Sequence, residues 1–334
     1  MKSVQQTDLE RVLLGCALGD SLGLPFEGLS PKKCSRLLPK ELRHTLFFGR
    51  GMLSDDTEHS IFVIDAFNRS SNEKDYLKIM RSHLRKWFLC CPPGIGLGTL
   101  KSCLKMLFGL KKTSVNSAGN GPLMRTAVLA VLLKNQPEKL AEYIKANTYL
   151  SHADERAFET SYLLAKLVLK NLETRLTAND LKKESSSIQN AEFKAAINVM
   201  VECLENEKTP DEYLESAGLL KGVSGYCIHT FCAAVYAVIY FKNDLNKIIS
   251  WCIRSGGDTD SAAAVAGALA SANPECELPE DHLSGIRDWP FSINFMKGLT
   301  SGTSKLGFFL PKMALRNLFF IPLILLLAII RIFR

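Results

Sequence analysis

Apolar residues recur at intervals of three and four positions through most of this 334-residue chain. This spacing gives each helix one apolar stripe and is clear in residues 9–16, 61–67 and 163–168. No convincing series of segments alternates apolar and polar positions, and glycine and proline gather at boundaries such as CPPGIGLG and GNGP. The pattern predicts an all-α fold.

The chain is long enough for one large domain or two ordinary ones. It shows no internal repeat. Its polar stretch from about 172 to 210 lacks the Pro, Gly and Ser bias of a linker, so we expect an insertion or outer hairpin there. We expect a monomer with one domain over residues 1–300, a linker over 301–312 and a hydrophobic C-terminal segment over 313–334.

Charge and cysteine content exclude two classes of function. Four basic residues near the carboxy terminus leave 37 of the 41 Lys and Arg residues against 34 Asp and Glu, too small an excess for a nucleic-acid footprint. The ten cysteines form no CxxC pair and lie mostly in apolar helical stretches, which indicates free thiols rather than disulfides or a zinc site. The amino terminus does not look like a signal peptide, so we expect a cytoplasmic protein. From the small basic excess, we also expect that it binds no nucleic acid.

The segment SDDTEHS concentrates carboxylates just before an apolar run. Ser54 or Asp55 suits the amino-terminal cap of a helix, and Asp55 and Glu58 have the spacing of a capping box. A cap needs only one or two such side chains. The surplus carboxylate, Asp56, therefore raises the alternative of a bound cation, with Glu58 and His59 as ordinary first-turn residues.

The segment SGGDTDS repeats this chemistry about 200 residues later, with Asp258, Asp260 and Ser261 before an alanine-rich helix. Hard cations such as Mg²⁺ prefer oxygen ligands, so carboxylates and hydroxyls from two separate elements suit a binuclear site. The residues alone leave two interpretations open, a pair of helix caps or one shared metal site.

Several short motifs follow one another in a set order along the chain. They are GCALGDSLGLPFEG at 15–28, SDDTEHS at 54–60, GNGPLMR at 119–125, SHADERA at 151–157, SGYCIHT at 224–230 and GGDTDS at 256–261. In this order they resemble the motifs of the ADP-ribosylglycohydrolases, a family that includes hydrolases of ADP-ribosyl-arginine and ADP-ribosyl-serine. The resemblance extends from about residue 10 to 290.

The resemblance implies a compact single-domain helical fold with a binuclear metal cleft. It implies a hydrolase that depends on two Mg²⁺ ions, with Mn²⁺ as the alternative, and that cleaves the ribosyl C1″ N- or O-glycosidic bond of ADP-ribosylated protein side chains or small ADP-ribosyl compounds. The alternative is a non-catalytic ADP-ribose-binding or structural member of the same fold. The ligands implied by the resemblance are Ser54, Asp55, Asp56, Asp258, Asp260 and Ser261.

Two residues are candidates for proton transfer. Glu27 lies seven residues after Asp20 and falls on a glutamate that the family places near the metals. Glycosidases usually use two carboxyl groups in different protonation states, and our hypothesis assigns these roles to Glu27 and Asp56. Leu97 stands where some relatives have an aspartate, and this departure keeps the non-catalytic alternative open.

The remaining motifs supply candidate substrate contacts. The backbone N–H groups of Gly119, Asn120 and Gly121 precede a helix and suit a diphosphate, although a GNG alone is simply a turn. His152 is a candidate contact of phosphate or ribose, with a structural histidine as the alternative. Tyr226 is a candidate for stacking on adenine, with membership of an aromatic core stripe as the alternative.

The C-terminal segment does not belong to the family pattern. It contains 13 uninterrupted apolar residues, 318–330, flanked by Arg316 and Arg331. A membrane-spanning helix needs about 20 apolar residues, so both arginines would have to reach the membrane interface. Three interpretations are open: a short anchor, an interfacial helix, or a buried closing helix. The unbroken apolar run favours membrane contact through residues 313–334.

Overall fold

The computed structural model describes residues 4–46, 48–242, 244–307 and 309–332. In these ranges the chain forms seventeen α-helices and four short 3-10 segments and, apart from isolated bridges, no strand, which confirms the all-α prediction. The α-helices are α1 Val4–Gly23, α2 Pro31–Leu37, α3 Asp55–Arg69, α4 Glu73–Leu89, α5 Leu97–Leu107, α6 Thr126–Leu132, α7 Leu140–Tyr149, α8 Glu155–Glu173, α9 Ala178–Glu184, α10 Ala191–Glu205, α11 Pro210–Ser216, α12 Cys227–Tyr240, α13 Leu245–Arg254, α14 Thr259–Ala272, α15 Glu280–Gly285, α16 Ile293–Thr300 and α17 Leu310–Ile332.

The pair α1 and α14 forms the centre of the core. All residues of α14 are buried, and α12 and α13 pack on it from other sides. A Cβ atom at Gly15 or Gly19 of α1 would lie 2.4 Å from the Gly267 carbonyl oxygen or 2.0 Å from the Ala263 carbonyl oxygen. Only glycine allows this approach of two backbones, so the alanine-rich α14 lies directly against α1.

Four loops meet beside the amino ends of α3 and α14. Isolated bridges join Leu29 and Val223 to Gly257, and Gly119 to Tyr226. Gly257 has a φ of 82°, and a Cβ there would lie 2.1 Å from the Val223 carbonyl oxygen, so no other residue fits this position. These bridges bring motifs that are far apart in the sequence to one side of the helical core.

The polar stretch around residues 172–210 forms α9 and α10, which pack on α8 and α12 at the outside of the core. The domain core extends through α16, which ends at Thr300, and α17 begins at Leu310.

The last helix, α17, has one face against the body and one exposed face. Arg316 and Phe320 are buried, whereas Leu318 and Phe319 are more than half exposed. The position of Arg316 corrects the expectation that it flanks a membrane segment, because its side chain lies inside the protein. Within the described ranges no helix is long and apolar enough to cross a membrane. The side chain of Arg331 and residues 333–334 lie outside the described part of the chain.

Candidate active site

The SDDTEHS segment is the first turn of α3, and Ser54 is its N-cap. The Ser54 Oγ accepts a 3.3 Å hydrogen bond from the Asp56 backbone N–H. Glu58, the expected partner in a capping box, turns into the protein instead, where its carboxylate accepts a 2.6 Å hydrogen bond from Trp87 Nε1. Glu58 is 3% exposed, so its description as an ordinary first-turn residue is wrong. His59 is also buried, and its Nδ1 lies 3.3 Å from Arg125 Nη1.

Asp20 of α1 holds this turn from the side of the core. Its carboxylate accepts hydrogen bonds from the Ser54 N–H at 3.0 Å and from the Thr57 N–H at 3.2 Å. The Thr57 hydroxyl adds a third, at 2.5 Å. Burial raises the pKa of Asp20 to about 6, and the hydrogen bonds from Thr57 and Ser54 limit the rise. The sequence marked Asp20 only by its spacing from Glu27, yet this residue fixes the geometry of the first carboxylate cluster.

The two carboxylate clusters are in direct contact. Asp56 Oδ2 accepts a 3.2 Å hydrogen bond from Ser261 Oγ and a 3.1 Å bond from Ser54 Oγ. Among the described residues, Asp56 Oδ1 and Asp260 Oδ1 are buried and have no hydrogen-bond partner. Burying carboxylate oxygens without a partner is costly, so this arrangement fits a site that receives a cation.

The electrostatics of the cluster also favour the binding of a cation. Burial, followed by the charges of neighbouring carboxylates, raises the pKa values of Asp55, Asp56 and Asp260 well above the usual range. The charge of Glu27 contributes to the rise at both Asp55 and Asp260, which places Glu27 near both clusters. A divalent cation would relieve this mutual repulsion.

The donor set is made of carboxylate and hydroxyl oxygens, the ligands of hard cations such as Mg²⁺ and Mn²⁺. Within the described ranges, no group of three or more His, Cys, Asp or Glu side chains stands ready to hold a metal ion. The predicted ligand set combines four carboxylates with two hydroxyls, those of Ser54 and Ser261. Metal ligation by these residues therefore stays a prediction.

The GNGPLMR segment reaches this cluster through a side chain. Asn120 Nδ2 donates a 2.9 Å hydrogen bond to Asp258 Oδ2 and a 3.0 Å bond to Thr230 Oγ1. The Asn120 N–H donates to the Gly225 carbonyl at 2.9 Å, and the Gly119 N–H to Ser117 Oγ at 3.3 Å. Two of the three backbone donors predicted for a diphosphate thus have partners within the protein, while Asn120 also orients Asp258.

His152 lies beneath the glycine loops and is only 2% exposed. Cβ atoms at Gly98, Gly119 or Gly121 would lie 2.6, 3.1 or 3.0 Å from atoms of its ring. Burial, and then the charge of Arg125, lowers the pKa of His152 to about 3, so the imidazole is neutral at physiological pH. The ring supports the loop that carries Gly119 and Gly121.

Glu27 and Leu97 lie on the solvent side of the site. Glu27 is exposed, and a Cβ at Gly94 of the CPPGIGLG loop would lie 3.8 Å from its Oε2 atom. Leu97 is the first residue of α5 and is 72% exposed. The loop thus brings a glycine, and no carboxyl group, close to Glu27.

Tyr226 lies half-buried beside the glycine loop, next to Gly119 across an isolated bridge. Its hydroxyl accepts a 3.2 Å hydrogen bond from Arg156 Nη1, and its ring meets His229 edge to face at a centroid distance of 5.0 Å. The Arg156 guanidinium also lies 5.5 Å from the centre of this ring. Stacking of Tyr226 on adenine stays a prediction.

Residues 4–302 match the ADP-ribosylglycohydrolase family, and the chain belongs to it. The family resemblance read from the motifs is therefore confirmed. Membership supports ADP-ribosyl glycohydrolase activity in general, and with it the class of hydrolases.

The chain is similar to several curated proteins over most of its length. An uncharacterized protein of Archaeoglobus fulgidus is 26% identical, with 84% of this chain and 91% of the relative covered. The ADP-ribosylhydrolase ARH3 of Gallus gallus is 25% identical, with 78% and 83% covered. A solved structure described as an ADP-ribosylglycohydrolase-related protein complex has a TM-score of 0.67 at 21% identity, covering 90% of this chain and 97% of that chain. This last likeness confirms the fold.

Proposed function

We propose that this protein is a metal-dependent hydrolase that cleaves the ribosyl C1″ glycosidic bond of ADP-ribosylated protein side chains or small ADP-ribosyl compounds and releases ADP-ribose. One observation carries the proposal. Ser261 Oγ donates to Asp56 Oδ2, and beside this contact a carboxylate oxygen of Asp56 and another of Asp260 are buried with no hydrogen-bond partner among the residues that the structure describes. An oxygen-rich cluster with raised carboxyl pKa values suits cation binding in a hydrolase of this family.

Two Mg²⁺ ions, or Mn²⁺ in their place, are the proposed cofactors. Bound divalent cations can orient sugar hydroxyls and lower the pKa of a water molecule. Asp20 holds the first turn of α3, and Asn120 orients Asp258, so both ends of the site are supported by hydrogen bonds. The proposed ligands are Ser54, Asp55, Asp56, Asp258, Asp260 and Ser261.

The proton transfers are assigned to Glu27 and Asp56. In hydrolysis the bond from C1″ to the nitrogen or oxygen of the leaving group breaks, a water oxygen bonds to C1″, and one proton passes from that water to the leaving group. Glu27 is exposed to solvent at the edge of the cluster, where a substrate can reach it, and Asp56 is buried at the base. Their different surroundings suit different protonation states.

Five residues are assigned to the ADP-ribose moiety. Gly121 and Gly119 belong to the loop in front of the short 3-10 turn that begins at Leu123, and Tyr226 lies beside that loop. Gly119 and Asn120 are half-buried, and the position of their loop beside Tyr226 favours a diphosphate there, with the adenine on the Tyr226 ring. The assigned residues are Gly119, Asn120, Gly121, His152 and Tyr226.

The proposal is tested by incubating the purified protein with ADP-ribosyl-arginine and ADP-ribosyl-serine peptides, with Mg²⁺ or with chelator. Release of free ADP-ribose that chelator abolishes supports the proposal, and the preferred peptide identifies the leaving group. If neither peptide yields chelator-sensitive release while the protein binds ADP-ribose, the non-catalytic binding member of the fold is the better description.

The exposed face of α17 favours a second property, peripheral contact with anionic membranes. Phe319 and Leu323 line a groove of about 1010 Å³ that also carries Arg50, Arg287 and Lys297. Exposed apolar residues beside basic ones suit an interface with acidic lipid head groups. Cosedimentation with vesicles of phosphatidylcholine alone or with phosphatidylserine tests this: binding only to the acidic vesicles supports it, and no binding to either contradicts it.

A further inference from the structure

Arg316 is a charged residue at the centre of the contact between α17 and the rest of the protein. It is 2% exposed and lies beyond residues 4–302, the part of the chain that matches the family. Its Nη2 and Nε atoms contact the two carboxylate oxygens of Asp288 at 2.6 and 3.2 Å, and the guanidinium lies 4.4 Å from the centre of the Phe320 ring. The two hydrogen bonds to Asp288 fix the orientation of the guanidinium, and the Asp288 carboxylate neutralises its charge.

The same guanidinium reaches the peptide that leads into the first carboxylate cluster. Arg316 Nη2 donates to the carbonyl oxygen of Leu53, and the Leu53 N–H donates to Asp288 Oδ2 at 2.7 Å. Both backbone polar groups of Leu53 are thus held by one ion pair. Leu53 directly precedes Ser54, the N-cap of α3.

A second contact holds the other end of this turn. Arg316 Nη1 lies 3.3 Å from Glu58 Oε1, and Glu58 Oε2 accepts a hydrogen bond from Trp87. The segment from Leu53 to Glu58 is therefore attached to α17 before and after the carboxylates of Asp55 and Asp56. Asp20 attaches the same segment to α1 from the opposite side.

We propose that Arg316 is a positioning residue for the active site: through Leu53 and Glu58 it holds the first turn of α3 in the geometry that places Asp55 and Asp56 for metal binding. The proposal rests on the proposed function of that cluster. It assigns α17 a role in the reaction centre that is separate from any contact of its exposed face with a membrane.

Loss of the Arg316 charge and loss of its positioning effect should change the Mn²⁺ affinity in opposite directions, which makes the proposal testable. By Coulomb attraction alone, removing a cation beside a cluster of carboxylates would strengthen the binding of Mn²⁺. Releasing the turn that carries Asp55 and Asp56 would weaken it, since residues that orient metal ligands typically change metal affinity by about 10- to 100-fold. The sign of the change distinguishes the two effects.

The experiment measures Mn²⁺ affinity of the full-length protein by electron paramagnetic resonance of the free ion. Arg316→Gln removes the charge and the fork, and Arg316→Lys keeps the charge but cannot bond Leu53, Asp288 and Glu58 in the same way. Lys312→Gln is the matched control, because Lys312 lies on the same helix and is exposed. We expect Mn²⁺ binding about 10- to 100-fold weaker in Arg316→Gln, intermediate in Arg316→Lys and unchanged in Lys312→Gln.

A second readout separates positioning from simple loss of stability. At saturating Mn²⁺, Arg316→Lys is expected to lower kcat while KM for the ADP-ribosyl peptide stays near the wild-type value, because Arg316 contacts Leu53, Glu58 and Asp288, which are not among the proposed substrate-binding residues. If Arg316→Gln does not fold, the Mn²⁺ affinity and kcat of Arg316→Lys test the proposal. Unchanged or tighter Mn²⁺ binding in the folded Arg316 variants overturns the proposal, whereas a wild-type protein that binds no Mn²⁺ overturns the proposed function itself.

Discussion

Ser261 Oγ donates a 3.2 Å hydrogen bond to Asp56 Oδ2, and the two residues are 205 positions apart in the chain. Ser261 lies in the first turn of α14 and Asp56 in the first turn of α3, so the contact joins two helix starts that the core holds side by side. Neither segment alone contains all six proposed metal ligands. Binding of a cation by both segments requires the folded chain and would stabilise it.

Asp56→Asn is expected to raise the stability of the metal-free protein while abolishing metal binding. Burial and the neighbouring carboxylates raise the pKa of Asp56 in the folded state. A carboxyl group whose pKa is raised in the folded state contributes stability at pH values below its unfolded pKa. This contribution is lost as the pH rises through the folded pKa, so the charged form of Asp56 is unfavourable at pH 7. The neutral amide removes this repulsion.

Thermal melting in chelator and in MgCl₂ checks this prediction. We expect the Asp56→Asn variant to melt higher than wild type in chelator, by about 2 °C for each kcal/mol regained, and to gain nothing from Mg²⁺. Asp281→Asn, at an exposed position, serves as the control. A variant that melts below wild type in chelator and still responds to Mg²⁺ would show that Asp56 is not a ligand in a strained cluster.

Glu27→Gln should separate proton transfer from metal binding. Glu27 lies at the exposed edge of the site beside Gly94, and replacing its carboxyl group removes a general acid or base without opening the core. We expect kcat for ADP-ribosyl peptides to fall by about 10²- to 10⁴-fold while Mn²⁺ affinity is retained. The control is Glu280→Gln, another exposed glutamate. Full turnover by the Glu27 variant would refute the assignment.

Gly98→Ala should destabilise the protein through the buried ring of His152. The added Cβ would lie 2.6 Å from His152 Nε2 and 2.8 Å from Ser117 Oγ, closer than a side chain allows. We expect a loss of about 1–3 kcal/mol in the free energy of unfolding, measured in urea. At Gly96 an added Cβ meets nothing within 4 Å, so Gly96→Ala is a matched control.

A double-mutant cycle identifies the cause. If the clash is with the imidazole, Gly98→Ala should cost less in a His152→Ala background than in wild type, because the smaller residue leaves room for the methyl group. Equal costs in the two backgrounds would instead place the strain elsewhere in the loop.

Asp65→Asn should give a pH-dependent loss of stability. Burial alone would raise the pKa of Asp65, but hydrogen bonds from His83 at 2.8 Å and Arg69 at 3.0 Å outweigh it and hold the pKa below its usual value. A lowered folded pKa contributes stability above the unfolded pKa, and this contribution is lost as pH falls through the folded value. Asp65 also accepts the Leu306 N–H and so ties down the segment before α17.

Urea unfolding at pH 7 and at pH 3.5 measures this effect. We expect the Asp65→Asn variant to lose about 1–3 kcal/mol at pH 7 and less at pH 3.5. The Asp281→Asn control should be close to wild type at both values. A loss that is the same at the two pH values would mean that shape, and not the charge of Asp65, provides the stability.

The sequence predicts those features that depend on local pattern. Helical spacing gives the all-α fold, and the SDDTEHS and SGGDTDS segments give two helix starts rich in carboxylates, because both signals lie within a few consecutive residues. Ser54 as a cap follows from the same local rules. Their meeting in space was expected only from the family resemblance, since no pattern in the chain shows which helix starts lie together.

Buried charges are the features that the sequence misrepresents. Arg316 precedes an apolar run, which favours a membrane interface, and Glu58 has the sequence position of an ordinary residue in the first turn of α3. Arg316 is buried because Asp288 and Glu58 compensate its charge, and Glu58 is buried because Arg316 compensates its charge. Arg316 and Asp288 are 230 or more positions away from Glu58 in the chain. Composition and periodicity contain no signal for such a pairing.

We propose that one metal site is shared by the first turns of α3 and α14. An anomalous difference map of crystals of the full-length protein grown with Mn²⁺ tests it most directly. We expect peaks within ligand distance of both Asp56 and Asp260. Mn²⁺ that binds only one of the two segments, or that binds elsewhere on the protein, would contradict it.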